Sequence, residues 1–505
     1  VYGPRDEAEL IRRFEVSYQQ QRAETPDQVT MTGVYITLIS GLIAIFGWEM
    51  LLLAAGVDVA RVNMSHGRRE EHALRIAAVR RAEAHLARPI AVLQDLAGPK
   101  VRVGKFPPGG VTLLTGFDVT LVPDSGAFGD TDHIPVSLPN LARYLEPEAL
   151  VLIDDGRVRL RVNAITAEGV VCAVEEGGVV TDHKGLNLPD VSLDLPPLGQ
   201  KDLEDLAFGV AQGVDFVGLS FVRSPGDIDL LRYHLGRLGS TARIVAKIEK
   251  HEALDHIDDI IAQADAVMVA RGDLGVEIVP ELVPRWQKQI IRKTVAVGKE
   301  VITATQMLES MIENPRPTRA EASDIANAIL DGTDAIMLSA ETTVGRYPVE
   351  AVRMMADIAN VIEKNWESFQ TRPFENPLIQ EIFLDNPEEA IAHATCDIAR
   401  QLAIEVIVTS TVSGKTARMI SKYKPPSTLL GITPELATYY RLALVWGVWP
   451  VLVERTRSTD EMMAIAERKA MDCGLVKKGE RLLLTAGIPW GHSGSTNMLK
   501  IHTCS

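Results

Sequence analysis

RIVAKIEK (243–250), AVMVARGD (266–273), VITATQ (301–306) and AIMLSAE (335–341) are four runs of one make. Each is short and rich in Val, Ile, Ala or Met, and each finishes in charged or hydroxyl side chains. Short continuous apolar runs of this kind suit parallel strands buried on both faces. The stretches between them have helical periodicity. Their terminal polar residues recur regularly: Lys247 to Asp273 is 26 residues, Asp273 to Thr305 is 32 and Thr305 to Ser339 is 34. Repeated βα units of this length predict a (β/α)8 TIM barrel or a doubly wound sheet.

Working outward, DVARVN (58–63), IAVLQD (90–95) and FVGLSF (216–221) bring the strands to seven. A barrel needs eight, and the free place for the missing one is before Asp58. GVYITLIS (33–40) has strand composition, and GLIAIFGWEMLLLAAG (41–56) can supply the helix after it. The same segment, Gly33 to Val57 with Glu49 as its only charge, is long and apolar enough to span a bilayer. It lies too far into the chain for a simple signal peptide. A spanning segment would leave the barrel without its first strand, so the barrel reading is preferred.

The remaining texture divides the chain. Residues 1–26 are polar, and EAELIRRFEVSYQQQRAE reads as a helical extension. The barrel takes 27–98 and 189–365. Residues 99–188 are rich in Gly, Pro, Val and Asp, with short alternating runs such as DVTLVPD and ALVLIDDGRVRLRVN, the pattern of a small antiparallel β domain. Inserted at the end of a strand, where the loops of such barrels build the site, it can act as a lid. Residues 366–505 alternate strand and helix again and form a separate α/β domain.

The 505 residues are 46 % hydrophobic and 24 % charged, ordinary values for a soluble protein, with a formal net charge of −15. That acidity argues against nucleic acid as a partner and requires a local basic pocket for any anionic substrate. Cys172, Cys396, Cys473 and Cys504 form no CxxC pair, so neither a disulfide framework nor a zinc site is expected, and a cytoplasmic location fits.

Nearly every barrel strand ends in a polar residue: Arg61 and Asn63, Asp95, Ser220, Lys247 and Glu249, Arg271 and Asp273, Thr305, Ser339 and Glu341. Capping of helices explains one or two such residues; a full ring points to catalysis. Glu249 and Asp273 form a hard oxygen site suited to Mg2+ or Mn2+. Lys247, two residues before Glu249, projects to the same side of its strand. A metal and an ammonium together can stabilise a developing enolate. Arg61 and Arg102 suit phosphate, and Asn63, Ser65 and Asp95 offer oxygens to a monovalent cation or a phosphate-bound metal.

RVNMSHG, DLAGPKVRVG, HKGLNLP, DFVGLSFVRS, AKIEK, MVARGDLGVE, TATQMLESM and RPTRAEASDIANAILDGTDAIMLSAETTVGRYPVEAV closely resemble pyruvate kinase, from about Gly56 to about Ile501. The resemblance implies phosphoryl transfer from phosphoenolpyruvate to ADP, giving pyruvate and ATP. It implies that Lys247 stabilises the transition state and the enolate, with Arg61, Thr305 and Ser339 beside it. Glu249 and Asp273 become ligands of the divalent metal, Gly272, Asp273, Thr305 and Arg61 substrate contacts, and Asn63, His66, Arg102 and Lys184 nucleotide contacts. The inserted domain becomes a mobile lid, with Asp154 and Asp155 in its IDDG turn. A homotetramer is expected.

Two departures matter. Many members have Thr and an acid where DLAGPK has Leu96 and Lys100, and these need K+. The region Asn63, Ser65, Asp95, Leu96 and Lys100 here resembles the potassium-independent type, in which an ammonium replaces the ion. Second, the family's first strand ends in a Thr-x-Gly-Pro-Ala-Ser turn beside the nucleotide. Residues 27–50 hold none, which leaves open a lost nucleotide contact or a stretch recorded incorrectly.

In the last domain TSTVSGKTARMISKYKP (409–425) places a polar loop before a helix, which suits a phosphate, although no GxxxxGK is present. Thr411, Ser413, Gly414, Lys415 and Thr416 are the residues through which a phosphorylated effector is expected to bind, a capped helix being the plainer reading. Rival readings are another metal-dependent barrel that forms the pyruvate enolate, such as an aldolase or lyase, a catalytically silent scaffold, and a membrane-anchored form.

Overall fold

The computed structural model describes residues 33–38, 51–86, 88–189, 191–366, 386–456, 458–487 and 496–505. The helix expected in 1–26 and the first part of the helix expected over 41–56 lie outside these.

The chain starts the barrel with β1 (Gly33–Leu38), β2 (Val57–Asn63), α1 (Arg69–Leu86) and β3 (Ala91–Asp95). It leaves it for eight short strands: β4 (Val111–Leu113), β5 (Asp118–Pro123), β6 (His133–Val136), β7 (Leu150–Ile153), β8 (Val158–Ile165), β9 (Val170–Glu176), β10 (Gly178–Val180) and β11 (Leu186–Asn187). It returns through α2 (Gln200–Ala211), β12 (Phe216–Leu219), α3 (Pro225–Arg237), β13 (Arg243–Ile248), α4 (Ile257–Gln263), β14 (Ala266–Ala270), α5 (Arg271–Glu277), α6 (Val283–Ala296), β15 (Glu300–Ala304), α7 (Arg319–Leu330), β16 (Ala335–Leu338) and α8 (Pro348–Lys364). The final part holds α9 (Pro387–Gln401), β17 (Val406–Ser410), α10 (Lys415–Ser421), β18 (Thr428–Thr433), β19 (Val448–Leu452), α11 (Thr459–Asp472), β20 (Arg481–Gly487) and β21 (Thr496–Thr503).

The eight barrel strands are parallel and closed in the order β1-β16-β15-β14-β13-β12-β3-β2. Strand β1 pairs with β16 on one side and β2 on the other, in the place the strand count left open. Among the described residues no helix is long and apolar enough to cross a membrane.

Side chains alternate along a strand, so each barrel strand sends half of its apolar residues inward and half toward the helices. Val59, Leu93, Phe216, Val245, Met268 and Ile302 fill the interior, and Leu444 of the C-terminal part joins them at the floor. Ala60, Val62, Val92, Ile244, Val267 and Ile336 pack outward on the helices.

Two expected strands end earlier than their apolar runs suggest. In AVMVARGD the strand stops at Ala270 and α5 begins at Arg271; in AIMLSAE it stops at Leu338 and a short helix spans Ala340–Thr343. Asp273 and Glu341 therefore stand in first helical turns.

The inserted part is a six-stranded sheet in the order β11-β7-β8-β9-β5-β6, mostly antiparallel, beside the β10-β4 pair. Its own core contains Val119, Leu121, Ile134, Val151, Leu160 and Cys172. The C-terminal sheet runs β19-β18-β17-β20-β21, with only β21 antiparallel.

Candidate active site

The inward row of β13 runs through Val245 to Lys247, so the ammonium emerges at the carboxyl end of the barrel rather than in its packed middle. It is almost fully buried there and meets three oxygens: Ser220 Oγ at 2.7 Å, Glu249 Oε1 at 2.9 Å and Asp95 Oδ1 at 3.1 Å. Burial alone would lower its pKa, but the charges of Asp95 and Glu249 outweigh burial and hold it above the usual lysine value. Lys247 is thus a fixed cation.

Asp95, 1 % exposed, organises a second cation. Its Oδ2 accepts from Arg61 Nε at 2.7 Å and also pairs with Arg61 Nη2. Burial opposes ionisation of Asp95, yet Arg61 and Lys247 together keep its pKa below the ordinary range. Both of its oxygens are engaged by protein cations. Gly218 makes room for it, since a Cβ there would lie 3.1 Å from Asp95 Oδ1.

Glu249 accepts from the Phe221 amide at 2.7 Å through Oε2. Phe221 holds φ at +56°, a conformation side chains seldom adopt, which marks a strand end bent to serve a site. Burial raises the Glu249 pKa; Lys247 opposes that, and the negative charge of Asp273 adds to it. A divalent cation between Glu249 and Asp273 would relieve that repulsion, and two hard carboxylates are the right donors for one. Among the described residues no group of three or more His, Cys, Asp or Glu side chains gathers to hold a metal. Such an ion would keep its other positions for substrate oxygens and water.

Thr305 lies just past β15 with φ at +66°, followed by Gln306 at +56°. Its Oγ1 accepts from the Gly272 amide at 2.9 Å and donates to Ala304 O at 2.6 Å, which ties the ends of β14 and β15 together. Arg271 is no part of the ring of polar side chains facing the site. Its guanidinium turns away to Asp324 at 2.7 Å and holds the Thr305 carbonyl at 2.6 Å. Ser339 caps the short helix after β16; its amide donates to Glu341 Oε2 at 2.7 Å, while Glu341 Oε1 accepts from the Leu308 amide at 3.1 Å.

On the opposite side Asn63 Oδ1 accepts from the Ser65 amide at 3.0 Å, bending the chain toward His66. Burial, then Arg102, Arg61, Lys100 and Lys201, lower the His66 pKa. Arg102 and Lys184 stand at the base of the insert: Arg102 Nη1 donates to His183 O at 3.0 Å, and Lys184 Nζ pairs with Asp154 at 2.8 Å. Asp154 and Asp155 both take φ at +55° in the turn. A basic pocket thus exists inside an acidic protein.

Lys100 Nζ reaches Asp273 Oδ1 at 3.0 Å and lies 5.8 Å from the centre of the Phe221 ring. A Cβ at Gly185 would meet Lys100 Cε at 2.8 Å, so glycine leaves the lysine its path. Leu96 is buried and donates its amide to Gly218 O at 3.0 Å.

In the C-terminal part Gly414 takes φ at +81° before α10 and donates to Thr411 Oγ1 at 2.9 Å. Thr416 Oγ1 bonds Thr496 Oγ1 at 2.7 Å, Lys415 pairs with Glu388, and the Ser413 carbonyl accepts from Arg243 and Arg418.

Two roles escaped the sequence reading. Ser220 bridges Lys247 to Leu96 O, to which it donates at 2.7 Å, and Lys201 holds Met64 O at 2.6 Å behind His66. Their sequence signal was only a polar residue at a strand end or in a helix.

The family model for the pyruvate kinase barrel domain matches residues 49–352, and that for the pyruvate kinase alpha/beta domain matches 389–502. The chain is 44 % identical to a pyruvate kinase of Clostridium acetobutylicum, over 89 % of this chain and 94 % of that one. It is also 44 % identical to one of Geobacillus stearothermophilus, over 90 % and 77 %, and 43 % identical to one of Bacillus licheniformis, over 89 % and 77 %. With these spans matched across barrel and C-terminal domain alike, the chain belongs to the pyruvate kinase family.

Proposed function

We propose that the protein transfers the phosphoryl group of phosphoenolpyruvate to ADP, forming pyruvate and ATP. The observation that carries this is the pair of cations, Arg61 and Lys247, held on the two oxygens of buried Asp95. Arg61 binds the phosphoryl oxygens. Lys247 stands where negative charge develops as the bond from phosphorus to the enol oxygen breaks and the bond to a β-phosphate oxygen of ADP forms. The electron pair remains on the enol oxygen, and the enolate is protonated at its terminal carbon on the Thr305 side. Gly272, Asp273 and Thr305 position the acid, and Ser339 closes that side of the ring. Positioning and fixed charge carry most of the acceleration in such transfers.

Mg2+ or Mn2+ bound by Glu249 and Asp273 would supply Lewis-acid neutralisation of the substrate oxygens. Asn63, His66, Arg102 and Lys184 form the nucleotide side, the last two arriving with the lid. K+ is not required: both Asp95 oxygens already face protein cations, and Lys100 places an ammonium on Asp273. The family resemblance supports a cytoplasmic homotetramer and a phosphorylated effector at Thr411, Ser413, Gly414, Lys415 and Thr416.

Turnover of phosphoenolpyruvate that depends on ADP, followed through lactate dehydrogenase, tests the reading. Enolate formation without ADP would favour the aldolase or lyase reading, and no turnover the scaffold. Light scattering on the eluted protein tests the tetramer.

A further inference from the structure

Strand β2 passes into α1 through a turn, residues 63–68, that carries two of the proposed nucleotide contacts, Asn63 and His66. His66, Gly67 and Arg68 are exposed, and Gly67 takes φ at +84°. Surface turns of this kind usually leave their carbonyls to water. Here two of the carbonyls are taken up by side chains from helices on either side.

The first of these side chains is His72. The buried stripe of α1 begins His72, Ile76, Val79, at the i, i+4, i+7 spacing of a core-facing helix. Its first member is an imidazole, 1 % exposed, where an aliphatic side chain would pack without a polar cost. The turn supplies the missing partner: Nε2 donates to His66 O at 2.9 Å, while Arg75 Nη1, a donor, lies 3.5 Å from Nδ1. These two partners select the tautomer with its proton on Nε2. Burial lowers the His72 pKa, the bond to His66 opposes this and the charge of Arg75 adds to it, so the ring is neutral near pH 7.

The second is Lys201, in the first turn of α2. Its Nζ donates to Met64 O at 2.6 Å, and the Met64 amide donates to Asp95 O at 2.9 Å. Asp205, 2 % exposed, aims the ammonium from one helical turn further on and also accepts from Arg69 Nε at 2.8 Å. A solvated lysine paired along its own helix would need no contact with the β2–α1 turn. Asp202, beside Lys201, accepts from the Gly98 amide at 3.1 Å, where the chain leaves for the insert. The start of α2 thus grips the nucleotide-side turn and the root of the insert together.

We infer that His72 and Lys201 are positioning residues for the nucleotide: through the carbonyls of His66 and Met64 they hold the turn in the shape that presents Asn63 and His66 to a nucleoside diphosphate. This rests on the proposed phosphoryl transfer. Both side chains act through the backbone, so removing either loosens the turn without changing the charges around Lys247. The phosphoenolpyruvate side hangs on other bonds, from Asp95 to Arg61 and Lys247 and from Thr305 to the Gly272 amide.

The coupled assay on the full-length protein, with ADP and phosphoenolpyruvate titrated separately, tests it. His72→Phe fills the same space without the donor and should raise the KM for ADP about tenfold, the loss of one hydrogen bond that leaves its partner unpaired. His72→Gln, whose amide nitrogen can stand in for Nε2, should restore most of the parent value. Lys201→Met should raise the same KM about tenfold, and Lys201→Arg should rescue it. The Lys201 side chain is 59 % exposed, so its replacement is of little consequence for folding and decides the matter if His72→Phe does not fold. In every variant kcat and the KM for phosphoenolpyruvate should stay within about twofold of the parent. A merely structural role predicts a lower melting temperature with the two KM values rising together, and that result overturns the inference. A parent protein without ADP-dependent turnover overturns the proposed reaction and this inference with it. A parent that turns over while His72→Phe and Lys201→Met keep its KM for ADP overturns the inference alone.

Discussion

The Lys247 ammonium and the Asp95 carboxylate meet at 3.1 Å although β13 and β3 are not neighbours; β12 runs between them. The contact is possible because both side chains lean over the end of β12, where Ser220 donates to Leu96 O and accepts from Lys247. One buried acid thereby fixes two cations. Lys247→Gln should lower kcat by about 10²–10³-fold, the usual loss when one group aimed at developing charge is removed. The coupled assay checks this. Asp95→Asn should raise the KM for phosphoenolpyruvate as well, because Arg61 loses its anchor; an unchanged KM would detach Arg61 from the phosphate.

Replacing K+ by a large organic cation should leave steady-state activity intact. Lys100→Gln should lower it and make the remainder respond to added K+, because Asp273 then lacks the ammonium now 3.0 Å away. Loss of most activity in the parent protein without K+ would contradict this.

Thr305 holds a left-handed backbone, which costs a side chain about 1–2 kcal/mol. Thr305→Gly removes that cost but leaves the Gly272 amide without its acceptor, a loss of about 1 kcal/mol. The terms nearly cancel, so the melting temperature should move by only a few degrees while kcat falls at least tenfold. Thr305→Ser should keep most of both. Differential scanning calorimetry beside the coupled assay separates the two effects.

Glu277 fastens the base of the inserted part to the barrel: it accepts from Asn187 Nδ2 at 2.8 Å and pairs with Lys250 at 2.7 Å. Burial would raise its pKa, but hydrogen bonding from His251 and the charge of Lys250 outweigh burial and lower it. A carboxylate with a depressed folded pKa contributes stability that is full above its unfolded value near 4.3 and fades as pH falls through the depressed one. Glu277→Gln should therefore cost about 1–3 kcal/mol at neutral pH and flatten the acid limb of the stability curve. Urea denaturation at a series of pH values measures both.

The barrel was legible because parallel strands write themselves as short apolar runs, and even β1 was placed by counting. The ring of polar residues at the carboxyl ends of the strands was legible for the same reason, as polar residues at run ends. Arg271 misled because α5 begins at that residue: helical geometry turns side chains by 100° per residue, not 180°, and sends Arg271 to Asp324 while Asp273 stays at the site. The joins were not legible. Lys100 meets Asp273 across 173 residues and Asn187 meets Glu277 across 90, and no local period encodes such pairs. Nor was β21 found, an edge strand that Met498, Lys500 and His502 leave without a clear alternation of apolar and polar residues.

Leu444 in the barrel interior has a consequence for biosynthesis. The ribosome completes β16 first and delivers Leu444 roughly a hundred residues later, some 5–20 s at ~5–20 residues per second. Throughout that interval the nascent barrel has an unstoppered end, with Phe216, Met268 and Ile302 open to water or to a chaperone. A chain truncated after α8 would keep that opening permanently.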